Sequence, residues 1–261
     1  MALKFAANLS MLYPDRPFLD RFAAARAAGF TSVEFLFPYE FGQQAIRQRL
    51  DAHGLQVVLF NIFPGDLAAG ERGFLSHPGR QADFRRTLEE ALSYAQVLQS
   101  PRIHVMVGNR LPEVDYRAQF DMILENMAWA TPLAAAAGVT LLVEPLNATD
   151  QPRYLIHSSA DGMAIVEAVN HPNLQLQYDV YHAQMTEGNL LTTIKRLLPW
   201  IGHIQISDVP GRLEPGTGEI NYPAVFATLE AIGYQGYIGL EYNPSKDTDL
   251  SLAWLPVSQR G

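Results

Sequence analysis

Eight short runs of residues that favour β-strands alternate along the chain with stretches of helical periodicity, and this alternation limits the fold to few classes. Strict alternation predicts a parallel sheet with helical crossovers. Eight such units are the number that closes a barrel. The predicted strands cover residues 3–7, 32–35, 56–60, 102–107, 140–143, 174–178, 202–206 and 237–240.

The helical stretches carry start and stop signals typical of crossover helices. Phe18, Phe22 and Ala25 recur at helical spacing between Pro17 and Gly29. The other predicted helices cover 42–53, 80–98, 115–137, 159–169, 189–198, 222–232 and a short segment near 247–254, which leaves 179–188 as a loop. An open, doubly wound sheet is the alternative, but no G-x-G-x-x-G follows the first strand. We therefore predict one α/β domain, a (β/α)8 TIM barrel over residues 1–261.

Composition excludes several classes of function. The formal net charge of −8 argues against a general nucleic-acid-binding protein, which needs a basic face. With no cysteine in the chain, disulfides, thiolate nucleophiles and cysteine-based zinc sites are excluded. No signal peptide and no apolar run long enough to span a bilayer are evident. We therefore expect a cytoplasmic protein with no membrane partner.

Carboxylates collect where the predicted strands end. Glu144, Asp179 and Glu241 each follow an apolar β-run, and in a barrel such positions point into the mouth at the carboxyl ends of the strands. Three buried carboxylates would repel one another, and a divalent cation resolves that conflict. Gln205 adds a neutral oxygen, so the four ligands suit Mg²⁺ or Mn²⁺. The alternative is that these are solvated loop acids.

Two loops on the same face add positive charge. The segment 211–221 is rich in glycine and carries Arg212, whose guanidinium can bind a carboxylate through two nitrogens. The alternatives are a plain surface loop and a surface pair of Arg212 with Glu214 or Glu219. The segment 64–72, which ends at Arg72, is either a lid over the site or an ordinary insertion.

Several stretches resemble the hydroxypyruvate isomerase family, within the xylose-isomerase-like barrel superfamily, over nearly the whole chain. The stretches are Phe5–Met11, Val33–Tyr39, Pro64–Asp66, Ala69–Gly73, Glu144–Asn147, Gln177–His182, Glu214–Tyr222 and Gly239–Tyr242. A sister group, the 2-oxo-tetronate isomerases, is similar in the N-terminal half, through Phe30–Tyr39 and His104–Met106.

The resemblance implies that Glu144, Asp179, Gln205 and Glu241 hold one metal ion and that Glu144 and Glu241 carry the protons. In related sugar epimerases, residues at three further places touch the substrate, and Asp150, His182 and Arg212 occupy those places here. Those epimerases have a histidine where this chain has Gln205. That difference favours the hydroxypyruvate isomerases.

The expected reaction interconverts hydroxypyruvate and tartronate semialdehyde through a metal-stabilised enediolate, in the manner of an aldose–ketose isomerase. Arg212 is expected to hold the carboxylate of this small anionic hydroxy-keto acid, with Arg72 as the alternative holder. A 2-oxo-tetronate isomerase and a ketose 3-epimerase are the alternative activities. A zinc-dependent DNA-repair endonuclease and a non-catalytic sugar-acid-binding protein are rivals from other classes. The sequence leaves open whether the chain forms a homo-oligomer.

Overall fold

Eight parallel strands close into a barrel in chain order, in a computed structural model that describes residues 2–261. Strand β1 pairs with both β2 and β8, and Ala6 lies opposite Gly239 where the barrel closes. The strands are β1 Lys4–Asn8, β2 Ser32–Phe35, β3 Gln56–Asn61, β4 Arg102–His104, β5 Thr140–Val143, β6 Leu174–Asp179, β7 Ile201–Ile206 and β8 Tyr237–Leu240. The predicted (β/α)8 TIM barrel is therefore confirmed.

Capping residues and glycines mark the ends of several crossover helices. Gly54, with a positive φ of 60°, ends the second helix, and Ser158 and Asp161 form a reciprocal capping box at the start of the fifth. The helix predicted over 159–169 has these bounds in the structure, with Ser158 as its cap. The helices are α1 Phe18–Ala27, α2 Gln43–His53, α3 Gln81–Leu98, α4 Tyr116–Ala136, α5 Ser159–Val169, α6 Val180–Thr186, α7 Leu190–Leu197, α8 Tyr222–Ala231 and α9 Thr248–Ser251.

Two predicted elements differ from the structure, and both lie beside the barrel mouth. The segment predicted as a loop after β6 contains the short helix α6, because the Asp179 carboxylate caps it by accepting from the Tyr181 amide at 2.8 Å. Strand β4 ends at His104 instead of residue 107. There the chain leaves the ladder, and the amide of Val107 donates to the Tyr154 hydroxyl at 2.7 Å.

The barrel interior is apolar at one level and polar above it. Ala6 packs with Val58, Leu59 and Leu142 in a small cluster separate from the main core between strands and helices. Two residues further along β1 the side chain is Asn8, which is buried and hydrogen-bonded to another strand. Polar side chains therefore form the layer directly beneath the mouth. None of the helices within residues 2–261 is long and apolar enough to cross a membrane.

Candidate active site

Three carboxylates converge at the mouth, as the strand ends predict. Glu144 directly follows β5, Asp179 ends β6 and Glu241 directly follows β8, and each is buried. One side-chain atom each of Glu144, Asp179 and His182 lies within 4.8 Å of the other two. Within residues 2–261, no group donates a hydrogen bond to Oε1 of Glu144 or Oδ2 of Asp179. Unpaired carboxylate oxygens at this depth fit a bound cation, because burial without a partner is costly.

Burial and mutual repulsion raise the pKa of these carboxyl groups. Burial raises the pKa of Glu144 well above its ordinary value, and the charges of Glu241 and Asp179 add to the rise. Burial likewise raises the pKa of Glu241 to about 8, although Arg212 opposes the shift. Burial also raises the pKa of Asp179, and the charge of Arg212 opposes this rise as well. Without a cation, the site therefore retains protons near neutral pH.

Arg212 reaches into the carboxylate cluster rather than out to the surface. Its Nη2 lies 3.0 Å from Glu241 Oε1 and 3.6 Å from Asp179 Oδ2, and its guanidinium stands 5.3 Å from the centre of the Tyr181 ring. Burial alone would lower the pKa of this guanidinium, but the carboxylates, Glu241 foremost, raise it above the ordinary value. The guanidinium therefore stays charged and offsets part of the negative charge of the site.

The surface pairing considered for Arg212 does not occur, because its two candidate partners are engaged elsewhere. Glu214 accepts from the amide and hydroxyl of Ser245, and Glu219 accepts from Gln184.

The loop that carries Arg212 is tied down by one buried carboxylate. Asp208 accepts hydrogen bonds of 2.9–3.0 Å from the backbone amides of Gly216, Gly218 and Ile220. Only glycine fits at position 218, where a Cβ would lie 1.9 Å from a backbone oxygen. Arg212 itself adopts a left-handed φ of 53°, and this loop geometry turns its side chain into the mouth.

His182 is held in one tautomer. Its Nδ1 accepts from the Asn147 amide at 3.1 Å, and a backbone N–H can only donate. Nδ1 is therefore the acceptor, and Nε2, which is 3.7 Å from Asp179 Oδ2, carries the hydrogen. Burial, aided by Arg212, lowers the pKa of His182 well below its usual value. The ring is thus a neutral donor that lines the cavity.

Asp150 is exposed and does not line the cavity. Its Oδ2 accepts from Asn147 Nδ2 at 3.0 Å and from the Tyr181 hydroxyl at 2.9 Å. It thereby braces the residue that fixes His182 and the ring beneath Arg212. Among the described residues that line the cavity, Asp150 is absent, and its direct contact with substrate stays a prediction.

Gln205 and Arg72 lie in different parts of the site. Gln205 is buried opposite Asp179 in the β6–β7 ladder, and its Oε1 accepts from Gln177 at 2.6 Å. Arg72 lies on the loop after β3 and lines the cavity, which has a volume of about 260 Å³. Its Nε donates to Gln151 Oε1 at 3.0 Å, and its Nη1 donates to the backbone oxygens of Leu67 and Glu71.

Two buried residues of the site received no role from the sequence. His104 lines the cavity, and its Nδ1 lies 3.5 Å from Glu144 Oε2. Burial, aided by the nearby His203, lowers the pKa of His104 to about 3. Glu34 lies deeper and is 1% exposed. His104 ends β4, and Glu34 lies one residue before the end of β2. The three carboxylates were identified by the same position at strand ends, but neither His104 nor Glu34 belongs to the predicted set of metal ligands.

Known proteins resemble this chain over nearly its whole length. A 2-oxo-tetronate isomerase of Cupriavidus necator is 51% identical, with 97% of this chain and 97% of the relative covered. The hydroxypyruvate isomerase of Escherichia coli is 38% identical, with 97% and 98% covered. A crystal structure of a protein named AP endonuclease, family 2, from Brucella melitensis is 44% identical and superimposes with a TM-score of 0.94, covering 97% of this chain and 98% of that one.

The family described as "Xylose isomerase-like TIM barrel" matches residues 22–256. That match spans most of the barrel, and it includes every strand from β2 to β8 and all the carboxylates of the mouth. The chain belongs to the xylose isomerase-like TIM barrel family, with close relatives named 2-oxo-tetronate isomerase and hydroxypyruvate isomerase.

Proposed function

We propose that this enzyme isomerises a short 2-oxo acid by moving a proton between neighbouring carbons. The observation that carries the proposal is that Glu144 and Glu241, both buried and both with a raised pKa, line the same cavity. Because burial makes a carboxylate a stronger base, each can take up a proton from carbon and release one again. Binding alone would not require two such groups beside one ligand.

The residues at the mouth fit one hard divalent cation, Mg²⁺ or Mn²⁺. Glu144, Asp179, Gln205 and Glu241 would hold it, because all four offer oxygen and two of the carboxylates have unpaired buried oxygens. When bound, the ion supplies Lewis-acid stabilisation of negative charge that develops on the substrate oxygens.

The chain's own groups divide the remaining work. One glutamate takes the proton from C3 and the other delivers a proton to C2, while the hydroxyl proton passes from the oxygen on C3 to the oxygen on C2, so that the carbonyl moves from C2 to C3. The direction of reaction decides which glutamate acts first. His182 donates its Nε2 hydrogen to a substrate oxygen. Arg212 and Arg72, which both line the cavity, attract the carboxylate of the acid.

A four-carbon substrate, 2-oxo-tetronate, is the first candidate. Relatives named 2-oxo-tetronate isomerase are 42–51% identical to this chain, whereas those named hydroxypyruvate isomerase, some of them putatively, are 38–42% identical. Hydroxypyruvate, the first expectation from the sequence, is the second candidate. Both acids need the same shift between C2 and C3 and differ by one hydroxymethyl group. The same residues can therefore serve either substrate.

Turnover of the two acids by the purified protein tests the proposal. With Mg²⁺ or Mn²⁺ present, we expect carbonyl migration in both, with a higher kcat/KM for 2-oxo-tetronate. Removal of divalent ions with a chelator should abolish turnover, and adding Mn²⁺ back should restore it. Failure to convert either acid under any metal condition would overturn the proposed isomerase.

A further inference from the structure

A buried network of polar side chains lies at and beneath the level of Asp179 in the barrel. We call it the floor network and define it as Asn8, Glu34, Gln177, His203 and Gln205. Glu34 is its centre: its carboxylate accepts from Asn8 Nδ2 at 2.9 Å, His203 Nε2 at 2.6 Å and Gln205 Nε2 at 2.9 Å. These groups come from four strands, and each is at most 2% exposed. The mechanism proposed above does not use Glu34.

The Glu34 carboxylate fixes the orientation of the Gln205 side-chain amide, with the amide nitrogen toward Glu34. A carboxylate can only accept, so the group of Gln205 that faces it must be the nitrogen. A rotation of the amide by half a turn would set oxygen against oxygen and lose a buried hydrogen bond, which is costly. The oxygen of Gln205 is therefore kept on the other side of the amide.

That other side of the amide faces strand β6. Gln205 lies opposite Asp179 in the β6–β7 ladder, so the two residues stand at the same level of the barrel. The Oε1 of Gln205 accepts from Gln177. Burial raises the pKa of Glu144, and Gln177 is close enough to that glutamate to oppose the rise. The Gln205 oxygen thus faces Gln177, a residue that also lies beside Glu144.

Strand β8, which lies two strands away from β2 around the barrel, leaves room for the Glu34 side chain. A Cβ at position 239, on β8, would lie 2.3 Å from both oxygens of the Glu34 carboxylate. Since real Cβ atoms do not approach so closely, the side chain at 34 occupies space that only a glycine at 239 provides.

We infer that Glu34 is a positioning residue of the proposed metal site. Glu34 holds the Gln205 amide so that its oxygen, and not its nitrogen, is offered to the cation. The inference rests on the proposed function, because Gln205 is a proposed ligand. Partners that orient metal ligands commonly contribute about 10–100-fold to metal affinity. Glu34 acts here through hydrogen-bond polarity, not through contact with substrate.

Mn²⁺ affinity, measured by the electron paramagnetic resonance signal of free Mn²⁺, tests the inference without substrate. Glu34→Gln keeps the shape but can donate as well as accept, so it should weaken Mn²⁺ binding by about 10-fold or more. Glu34→Asp keeps the charge but withdraws the oxygens by one methylene, and it should also weaken binding. Ser32→Ala is the matched control, because this buried hydroxyl on the same strand contacts Gln56 instead. Its Mn²⁺ affinity should equal that of the wild type.

A double-mutant cycle with Gln205→Ala separates positioning from charge. If Glu34 acts through Gln205, Glu34→Gln should cost little further affinity once Gln205 is alanine. An equal loss in both backgrounds would mean that Glu34 acts only by its charge, and it would overturn the inference. Unchanged affinity in both Glu34→Gln and Glu34→Asp would overturn it too. Wild-type protein that binds no Mn²⁺ would instead overturn the proposed metal site, which is a distinguishable result. If Glu34→Gln does not fold, Glu34→Asp is used in the cycle.

Discussion

Glu144 and Glu241 owe their chemical use to their position just past two buried strands. There the main chain holds the carboxyl groups in a cavity where water solvates them poorly, so the charged form is costly and each pKa rises. Arg212 limits that rise for both glutamates. The pKa of Glu241 at about 8 leaves this residue able to exchange protons near neutral pH.

Glutamine at either glutamate should remove proton transfer while keeping the shape of the side chain. We expect Glu144→Gln and Glu241→Gln each to lower kcat by about 10²-fold or more. The measurement is steady-state turnover at saturating Mn²⁺, because each variant also loses a proposed ligand charge. Near-wild-type kcat in either variant would remove that residue from the proton-transfer chemistry.

The two arginines should differ in which kinetic constant they control. Arg212 donates a hydrogen bond to Glu241, a proposed proton carrier. Arg212→Ala should therefore lower kcat as well as raise KM, and Arg212→Lys should restore both in part. Arg72 donates hydrogen bonds to Gln151 and to backbone oxygens, and none to a proposed proton carrier. Arg72→Ala should therefore mainly raise the KM for the acid, by about 10-fold, which is the scale of one charged hydrogen bond.

An uncharged ketose such as dihydroxyacetone is the control substrate for this comparison, because it has no carboxylate to lose. Equal KM changes for the acid and the ketose in Arg72→Ala would contradict a carboxylate contact at Arg72.

The loop between β7 and α8 illustrates how one element positions a functional side chain. Three backbone amides point at the Asp208 carboxylate, and the Asn243 amide donates to the Arg212 carbonyl at 2.8 Å. The loop is thus fixed at both sides of Arg212. The conformation of this loop therefore positions Arg212 in the active site, and Asp208 acts on the site through the loop backbone.

Asp208→Asn should loosen this loop. The amide would turn a donor toward backbone N–H groups, so we expect the free energy of unfolding to fall by about 1–3 kcal/mol and kcat to fall with it. Chemical denaturation and steady-state kinetics measure the two effects. Glu219→Gln, an exposed change on the same loop, should alter neither. Wild-type kcat in a folded Asp208→Asn would show that the loop does not need this anchor to place Arg212.

The elements of the barrel were predictable from periodicity, whereas parts of the mouth were not. Alternation and glycine stops gave all eight strands within a few residues, and the acids at strand ends gave the carboxylate cluster. Helix α6 was not predicted because its seven residues are too few to show a helical period. Glu34 and His104 received no role because a single sequence carries no signal for side-chain contacts between strands, such as the bonds from His203 and Gln205 of β7 to Glu34 of β2.

At the scale of the whole molecule, the barrel concentrates like charge at one end of an acidic chain. Glu144, Asp179 and Glu241 all have a raised pKa in the folded protein. The folded state therefore binds more protons than the unfolded state, in which such groups titrate near pH 4. The resulting stability is fully present below about pH 4 and is lost as pH rises toward 8.

Metal-free protein should therefore lose stability between about pH 6.5 and 8. The lowered pKa values of His104 and His182 act in the opposite direction only below about 6.5, where unfolded histidine titrates. One carboxyl group contributes a slope of at most about 1.4 kcal/mol per pH unit. Thermal melts across this window should show Tm falling with pH, and Mn²⁺ should raise Tm more at pH 8 than at 6.5.

Glu241→Gln is the control for that pH dependence, because it removes one of the titrating groups. Its metal-free slope should be shallower than that of the wild type. A metal-free Tm that stays constant or rises between pH 6.5 and 8 would contradict the proton balance assigned to the three carboxyl groups.

The most direct test of two glutamates acting as proton carriers is turnover in D₂O. One glutamate removes the substrate proton and the other delivers a proton exchanged with solvent, so the product should carry one deuterium on the carbon that becomes C2–H. Proton nuclear magnetic resonance and mass spectrometry at early conversion of 2-oxo-tetronate, with Mg²⁺ present, measure this label. We predict close to one deuterium per product molecule. Product that retains the substrate's own hydrogen at that carbon would contradict the account.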